Sequence, residues 1–275
     1  MTARILDGKA VAAATLDRVR GEVAEFAAAH GRVPVLATVL VGEDPASRTR
    51  VRMTADRCAA VGMTSRHAPL AAPVTTDEVV TRVRELSADQ DVDGILVQHP
   101  VPGGVDARAV FDAIDPAKDV GGVTRTSLAR MALGEPGFVA AVPGAIMALL
   151  DAYQVRLSYR YAIVVGRGPV LGRPVGMLLL ARDVTVTYCH SRTIDLAAHI
   201  AEADLLITAA GRPGLIRGKW IRQGAVVVDA AGDVEFDAAA ERASLITPVP
   251  DGVVPMTIAT LLAQTIRAAR AHRAR

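Results

Sequence analysis

Three glycines and an arginine in the stretch VVGRGPVLGR, residues 164–173, have the types and spacing to hold a phosphate. A short apolar run, 161–165, ends in a Gly/Pro cluster and passes into a second apolar segment, 174–180, the pattern of strand, tight turn and helix. Gly166, Gly168 and Gly172 let the backbone turn sharply and approach an anion, while Arg167 adds positive charge. The unpaired N–H groups and positive dipole end of the following helix would face that anion. The spacing is G-x-G-x-x-x-G and not the usual dinucleotide G-x-G-x-x-G, so a plain structural turn stays open beside the phosphate site.

The next apolar run, 184–189, ends in His190-Ser191-Arg192-Thr193. A site built for NAD places an acidic residue here to accept from the ribose 2′-OH, whereas an imidazole, a hydroxyl and a guanidinium suit a 2′-phosphate. NADP is therefore the expected cofactor. Ser191 and Thr193 also read as N-caps for a helix over 194–203, and the two readings are compatible. A small-residue turn, Ala209-Ala210-Gly211-Arg212-Pro213, follows a third apolar run at the strand end where a dinucleotide would lie.

The elements that must position these groups follow from the apolar periodicity. Val11, Leu16, Val19, Val23 and Phe26 recur at helical spacing over 8–30 and stop at Gly31. A buried strand is expected at 35–41, then a Pro turn into a helix capped by Asp44 or Ser47 within 42–63. A helix over 75–86 and a strand over 94–98 come next, before Pro100, Pro102, Gly103 and Gly104 break the chain. A helix at 107–114, a loop at 115–123, a looser region and a helix from 143 to 150 lead to strands at 161–165, 184–188, 205–208 and 225–229. The stretch 247–257 reads as a Pro/Gly loop before a helix over 258–271. The fold expected is α/β with two domains: 1–142 on the substrate side, completed by the closing helix 256–272, and a Rossmann-type domain over 143–255.

With 275 residues and 51% hydrophobic content the chain can build two cores. A net charge of +2 and 3% aromatics argue against a nucleic-acid surface. Cys58 and Cys189 lie far apart without metal-type spacing, so no metal site is expected, and the first residues lack the apolar core of a signal peptide. A reducing cytoplasm fits, and no run approaches the roughly 18 consecutive apolar residues of a membrane span. Lys9, Lys118 and Lys219 are the only lysines.

Taken in order, DPAS at 44–47, GILVQ at 94–98, KDV at 118–120, VVGR with LGRP at 164–174, TVTYCHSRT at 185–193, AGRPG at 210–214, and ITPVP with PMTIA at 246–259 resemble the bacterial FolD family. These are NADP-dependent 5,10-methylenetetrahydrofolate dehydrogenases that usually also act as methenyltetrahydrofolate cyclohydrolases. The resemblance covers essentially the whole chain. It implies two α/β domains around a cleft, folate against the first and NADP on the second, usually in a homodimer.

Carried over residue by residue, the resemblance makes Gly166, Arg167, Gly168, Gly172, His190, Ser191, Arg192, Ala210, Gly211, Pro213 and Thr257 cofactor-binding. The family's Ser after GR is Gly168 here, and its DVG after the last strand is Asp229-Ala230-Ala231. The substrate side departs further. The family's Tyr-x-x-x-Lys, whose lysine is credited with the cyclohydrolase proton chemistry, is Arg50 and Thr54, while Gln98 matches. The pterin-binding aspartate of KDVDG is Gly121, the Leu after VQ is His99, Pro-Cys-Thr is Ala140-Ala141-Val142, and two glycines of GGVGPMT are Asp251 and Val254, with Pro255 kept.

Gln98, Arg50 and Thr54 are thus expected at catalytic positions, and His99, Gly121, Asp251, Val254 and Pro255 at substrate-binding ones. An i, i+4 spacing puts Arg50 and Thr54 on one helical face, with Arg50 free to meet an anionic ligand or, without one, Asp251. Three functions are compatible with this pattern: a methylenetetrahydrofolate dehydrogenase without cyclohydrolase activity, an NADP-dependent oxidoreductase acting on another imine-type or smaller substrate, and a catalytically silent NADP-binding protein.

Overall fold

Residues 2–273 are described by a computed structural model. Strand β1 (Arg4–Ile5) and helix α1 (Gly8–His30) are followed by β2 (Val35–Val41), α2 (Pro45–Ala60), β3 (Thr64–Leu70), α3 (Thr76–Ala88), β4 (Gly94–Val97), α4 (Ala107–Asp112) and α5 (Arg125–Leu133). Then come α6 (Ala141–Ala152), β5 (Tyr161–Val165), α7 (Gly172–Leu180), β6 (Thr185–Cys189), α8 (Leu196–Glu202), β7 (Leu205–Thr208), β8 (Val226–Asp229), α9 (Phe236–Ala240), β9 (Leu245–Ile246) and α10 (Val253–Arg273). No helix among the described residues is long and apolar enough to cross a membrane.

One compact unit comprises Ala14–Arg130, Pro136–Ala141 and the chain from Ile258. Its sheet is parallel, in the order β3-β2-β4. All seven residues of β2, VLATVLV, are buried, the continuous apolar run expected of a central parallel strand. Ala37, Val39, Val41, Ile95 and Val97 turn one face toward Val79, Val83 and Leu86 of α3 and Val110 and Phe111 of α4. A reciprocal cap, Thr75 with Glu78, fixes the start of α3. Asp44 caps α2 by accepting from Ser47 N at 2.8 Å, so Ser47 is not the cap. Strand β3 was not foreseen: TSRHAPL is an edge strand with Ala68 alone buried, and its pattern carries no apolar alternation.

The second unit comprises the chain up to Ala13, Met131–Glu135 and Val142–Thr257. It holds a six-stranded parallel sheet, β1-β9-β8-β7-β5-β6, as a Rossmann-type pattern requires. The first residues belong here and not with 14–130, because β1 pairs with β9 and Ala3 enters this core. Two-residue strands such as β1 and β9 leave no periodicity to read. Two expectations are corrected. Helix α10 starts at Val253, ahead of both 256 and 258, because Pro255 sits in a first turn whose N–H groups have no helical partner in any case. Helix α8 starts at Leu196, capped by Asp195 in a left-handed conformation, and not at 194 under Ser191 or Thr193.

Candidate active site

In the second unit the turn after β5 is built to bring backbone close to an anion. Gly166 has φ +120°, and a Cβ there would stand 2.6 Å from the Ala209 carbonyl oxygen. A Cβ on Gly172 would run into the Gly166 carbonyl. Gly168 meets no atom within 4 Å, so packing does not demand glycine there. No side chain caps α7; Arg173 N donates to Gly168 O at 3.1 Å and Pro174 has no N–H, so among the first three residues of the helix the Gly172 N–H is the one left for a ligand.

Beside this turn lies a cavity of about 320 Å³. Gly166, Arg167, Gly168, His190, Ser191 and Ala210 line it, so six of the expected cofactor residues converge. Gly172 is buried behind the turn, while Arg192, Gly211 and Pro213 are exposed next to the cavity without lining it. Thr193 Oγ1 accepts from His190 N at 2.9 Å, and His190 Nδ1 accepts from Arg192 N at 3.2 Å, which locks the loop after β6. Thr257 donates to Val253 O within the first turn of α10.

Arg212, Leu196 and Leu215 also line the cavity and were not foreseen. Nor were the two buried aspartates that hold its wall. Asp229 accepts from Thr208 Oγ1 and from the N–H groups of Ala231, Gly232, Asp233 and Val234. Asp233 in turn accepts from Ala210 N and Arg212 N. The pattern Asp-x-x-x-Asp that begins on the last residue of a strand, with Gly232 inside it, is the available signal. Anion-facing backbone, two guanidinium groups, a hydroxyl and apolar walls fit a nucleotide carrying phosphates.

On the other unit, Arg50 and Thr54 lie on α2 and Gln98 and His99 follow β4. The Arg50 guanidinium donates to Ser47 Oγ at 2.7 Å and to the His99 carbonyl at 3.2 Å. Thr54 is buried, and its hydroxyl donates to Arg50 O at 2.9 Å. Side chains alternate along β4 and beyond it. His99 accordingly turns to the α4 side, where its ring meets Phe111 edge-on at 6.2 Å, and Gln98 turns to the opposite face. Gln98 as a residue is 7% exposed, and its carboxamide forms no hydrogen bond among the described residues. Burial, aided by the like charge of Arg50, holds the His99 imidazole below its ordinary pKa, so it is neutral near pH 7.

Two adjacent glycines in this unit differ in kind. Gly122 has φ +63°, and a Cβ would run into the Val139 backbone. At Gly121 a Cβ would meet only Val123 Cγ1 at 3.8 Å, Leu96 Cδ1 at 3.9 Å and Asp119 Oδ1 at 4.0 Å, all ordinary contacts. Gly122→Ala is expected to cost more than about 3 kcal/mol, read as a thermal melt, whereas Gly121→Ala should leave the melt nearly unchanged. Lys118 and Asp119 of the same segment are structural. Lys118 Nζ donates to the carbonyls of Leu86 and Asp89 at the end of α3, and Asp119 accepts from Val123 N, Thr124 N and Ser127 Oγ.

In the unit that carries the phosphate turn, Asp251 pairs with Lys9 Nζ at 2.7 Å, which corrects the expected pairing with Arg50. Val254 and Pro255 stand in the first turn of α10 and not in a loop, with Val254 exposed. Among the described residues no group of three or more His, Cys, Asp or Glu is arranged to hold a metal ion. A second cavity, about 420 Å³ between α2 and β3, is lined by none of the expected site residues.

Comparison with known proteins agrees with this layout. Residues 6–121 match the catalytic-domain model of tetrahydrofolate dehydrogenase/cyclohydrolase, and residues 140–273 match its NAD(P)-binding domain. The chain is 58% identical over 278 aligned residues to bifunctional protein FolD 1 of Salinispora arenicola, covering 99% of this chain and all of that one. Among solved structures, the bifunctional FolD enzyme of Campylobacter jejuni superposes with a TM-score of 0.95 at 35% identity, covering 98% of this chain and 99% of that one. The Trypanosoma brucei methylenetetrahydrofolate dehydrogenase-cyclohydrolase, solved with NADP cofactor and an inhibitor, gives 0.95 at 34% identity and covers 99% of each chain. Agreement of this extent over both units places the chain in the tetrahydrofolate dehydrogenase/cyclohydrolase family, with the family's NAD(P)-binding domain in its second half.

Proposed function

We propose that this protein is an NADP-dependent 5,10-methylenetetrahydrofolate dehydrogenase that has lost methenyltetrahydrofolate cyclohydrolase activity. The observation that carries the reading is the contrast between the two sets of site residues, one in each unit. The cofactor cavity is lined by the expected residues, while the position of the family's lysine holds a buried threonine whose hydroxyl is committed to Arg50 O.

The dehydrogenase reaction moves a hydride from the folate's bridging methylene and needs no proton transfer by the protein. NADP, when bound, supplies the carbon that accepts it. What the chain must do is bind and orient. The backbone of the Gly166 turn and the Gly172 N–H at the start of α7 take the pyrophosphate, and Arg167 with Ser191 takes the 2′-phosphate. Gln98, a largely buried residue whose carboxamide has no hydrogen-bond partner among the described residues, is the group available to hydrogen-bond the substrate, and Arg50 is held ready for its anionic part. Cyclohydrolysis differs because a water must lose a proton, and Arg50, Gln98 and Thr54 cannot take one near neutral pH.

The test is NADPH formation from methylenetetrahydrofolate, measured beside hydrolysis of the methenyl compound. Turnover in the first without the second is expected, and failure of the first sinks the proposal. NADP should be preferred to NAD, and Arg167→Ala should weaken NADP about tenfold while leaving NAD nearly unchanged. A homodimer in the cytoplasm belongs to the same proposal, and light scattering of the purified protein checks the dimer.

A further inference from the structure

Asp233 is fully buried, and one carboxylate gathers two N–H groups of the turn after β7: Oδ2 accepts from Ala210 N at 2.8 Å and Oδ1 from Arg212 N at 2.5 Å. Gly211 lies between those donors at φ +65°, the left-handed conformation that lets both N–H groups converge on one acceptor. Asp233 is itself fixed, since its N–H donates to Asp229 Oδ1 at 3.0 Å and its carbonyl accepts from Ile216 N at 3.0 Å. The turn is thereby tied to the end of β8, and the stem of Arg212 is placed on the wall of the 320 Å³ cavity.

Arg212 lines that cavity together with Arg167, His190 and Ser191, and neither arginine has an acidic partner among the described residues. Many other arginines of the chain are paired, among them Arg32, Arg66, Arg125 and Arg182. Two unpaired guanidinium groups and a hydroxyl around one cavity complement a dianion. The loop after β6, which follows the strand on the other side of β5 from β7, lines the same cavity through His190 and Ser191, and it is there that the adenosine ribose of a dinucleotide lies, whereas the pyrophosphate belongs at the start of α7.

We infer that Arg212 is a second cation for the 2′-phosphate of the cofactor, a specificity-determining residue, and that Asp233 is the positioning residue that aims it. This rests on the proposed use of NADP. A fixed cation on the β7 side and Arg167 on the β5 side would grip the phosphate from two directions.

Calorimetric titration of NADPH and NADH against the full-length protein tests this without any turnover. Arg212→Gln should raise the NADPH dissociation constant about tenfold, change NADH by less than twofold, and flatten the salt dependence of NADPH binding. Arg212→Lys should keep most of the preference. Asp233→Asn replaces one acceptor by a donor and should weaken NADPH by severalfold, with little added effect once Arg212 is already Gln. Equal weakening of NADPH and NADH by Arg212→Gln, or none, overturns the inference while the unmodified protein still prefers NADPH. If the unmodified protein shows no such preference, the proposed use of NADP falls, and the role of Arg212 falls with it. Arg212 is exposed, so a failure of the variant to fold does not cloud the result.

Discussion

Given methenyltetrahydrofolate, the purified protein is expected to hydrolyse it no faster than buffer does. A positioned general acid or base contributes roughly 10²–10⁴-fold, and that factor should be missing. Thr54 is 2% exposed, and its single proton is donated to Arg50 O. The Arg50 guanidinium carries donors alone, and the Gln98 carboxamide has no basic atom to take the proton. His99 is the one group of the set whose ionisation could fall near neutrality. Its ring, however, is against Phe111 on the α4 side of the sheet, and burial keeps it neutral.

Thr54→Lys alone should recover little. The new ammonium would lie one turn from the Arg50 guanidinium, and like charges at i, i+4 oppose one another. The substrate is a cation as well, so Arg50 disfavours it in the same place. Arg50→Tyr combined with Thr54→Lys is expected to recover more than either change. Loss of the methenyl absorbance over the buffer blank is the readout, and hydrolysis by the unmodified protein about 100-fold above that blank would refute the loss of function.

Most of the framework of both units is legible in the sequence because long buried elements leave periodic signals. VLATVLV is a central strand at sight, and the Gly166–Gly172 turn between two apolar runs marks the turn that lines the candidate cofactor cavity. What is not legible has physical reasons. Strand β3 is polar because it lies at a sheet edge, and β1 and β9 are too short to show a period. Pro255 looks like a helix boundary although it sits inside a first turn.

The partners of site residues are harder still. Lys9 and Asp251 meet across 242 positions, and nothing local announces it. That Arg50 would reach back to Ser47 and the His99 carbonyl, or that the His99 ring would turn toward Phe111, depends on the register of β4 against α2 and α4. Asp233 was closer to readable, since a buried acidic residue after a strand and a glycine turn commonly collects backbone N–H groups.

Gly121→Asp is expected to tighten binding of the tetrahydrofolate substrate by about one to two orders of magnitude, because a hydrogen bond to a charged group contributes about 1.5–3 kcal/mol. The site accepts the side chain: φ at Gly121 is not in the left-handed region and the nearest atoms stand 3.8–4.0 Å from a Cβ. The cost comes from Asp119, whose carboxyl burial already holds above its ordinary pKa despite three hydrogen bonds. A second carboxylate beside it raises both folded-state values further above those of the unfolded chain. A carboxyl raised in this way favours folding below its unfolded value, and that contribution is lost as pH rises through the folded one. The variant should therefore melt close to the unmodified protein in mild acid and progressively below it toward neutrality. Gly121→Asn offers a hydrogen bond without the charge, so it should escape the pH-dependent penalty and gain less affinity. Equilibrium titration with tetrahydrofolate, in samples whose NADPH binding is unchanged, decides the matter. A Gly121→Asp variant that binds NADPH normally yet takes up folate no better than the parent would show that Gly121 does not limit substrate affinity.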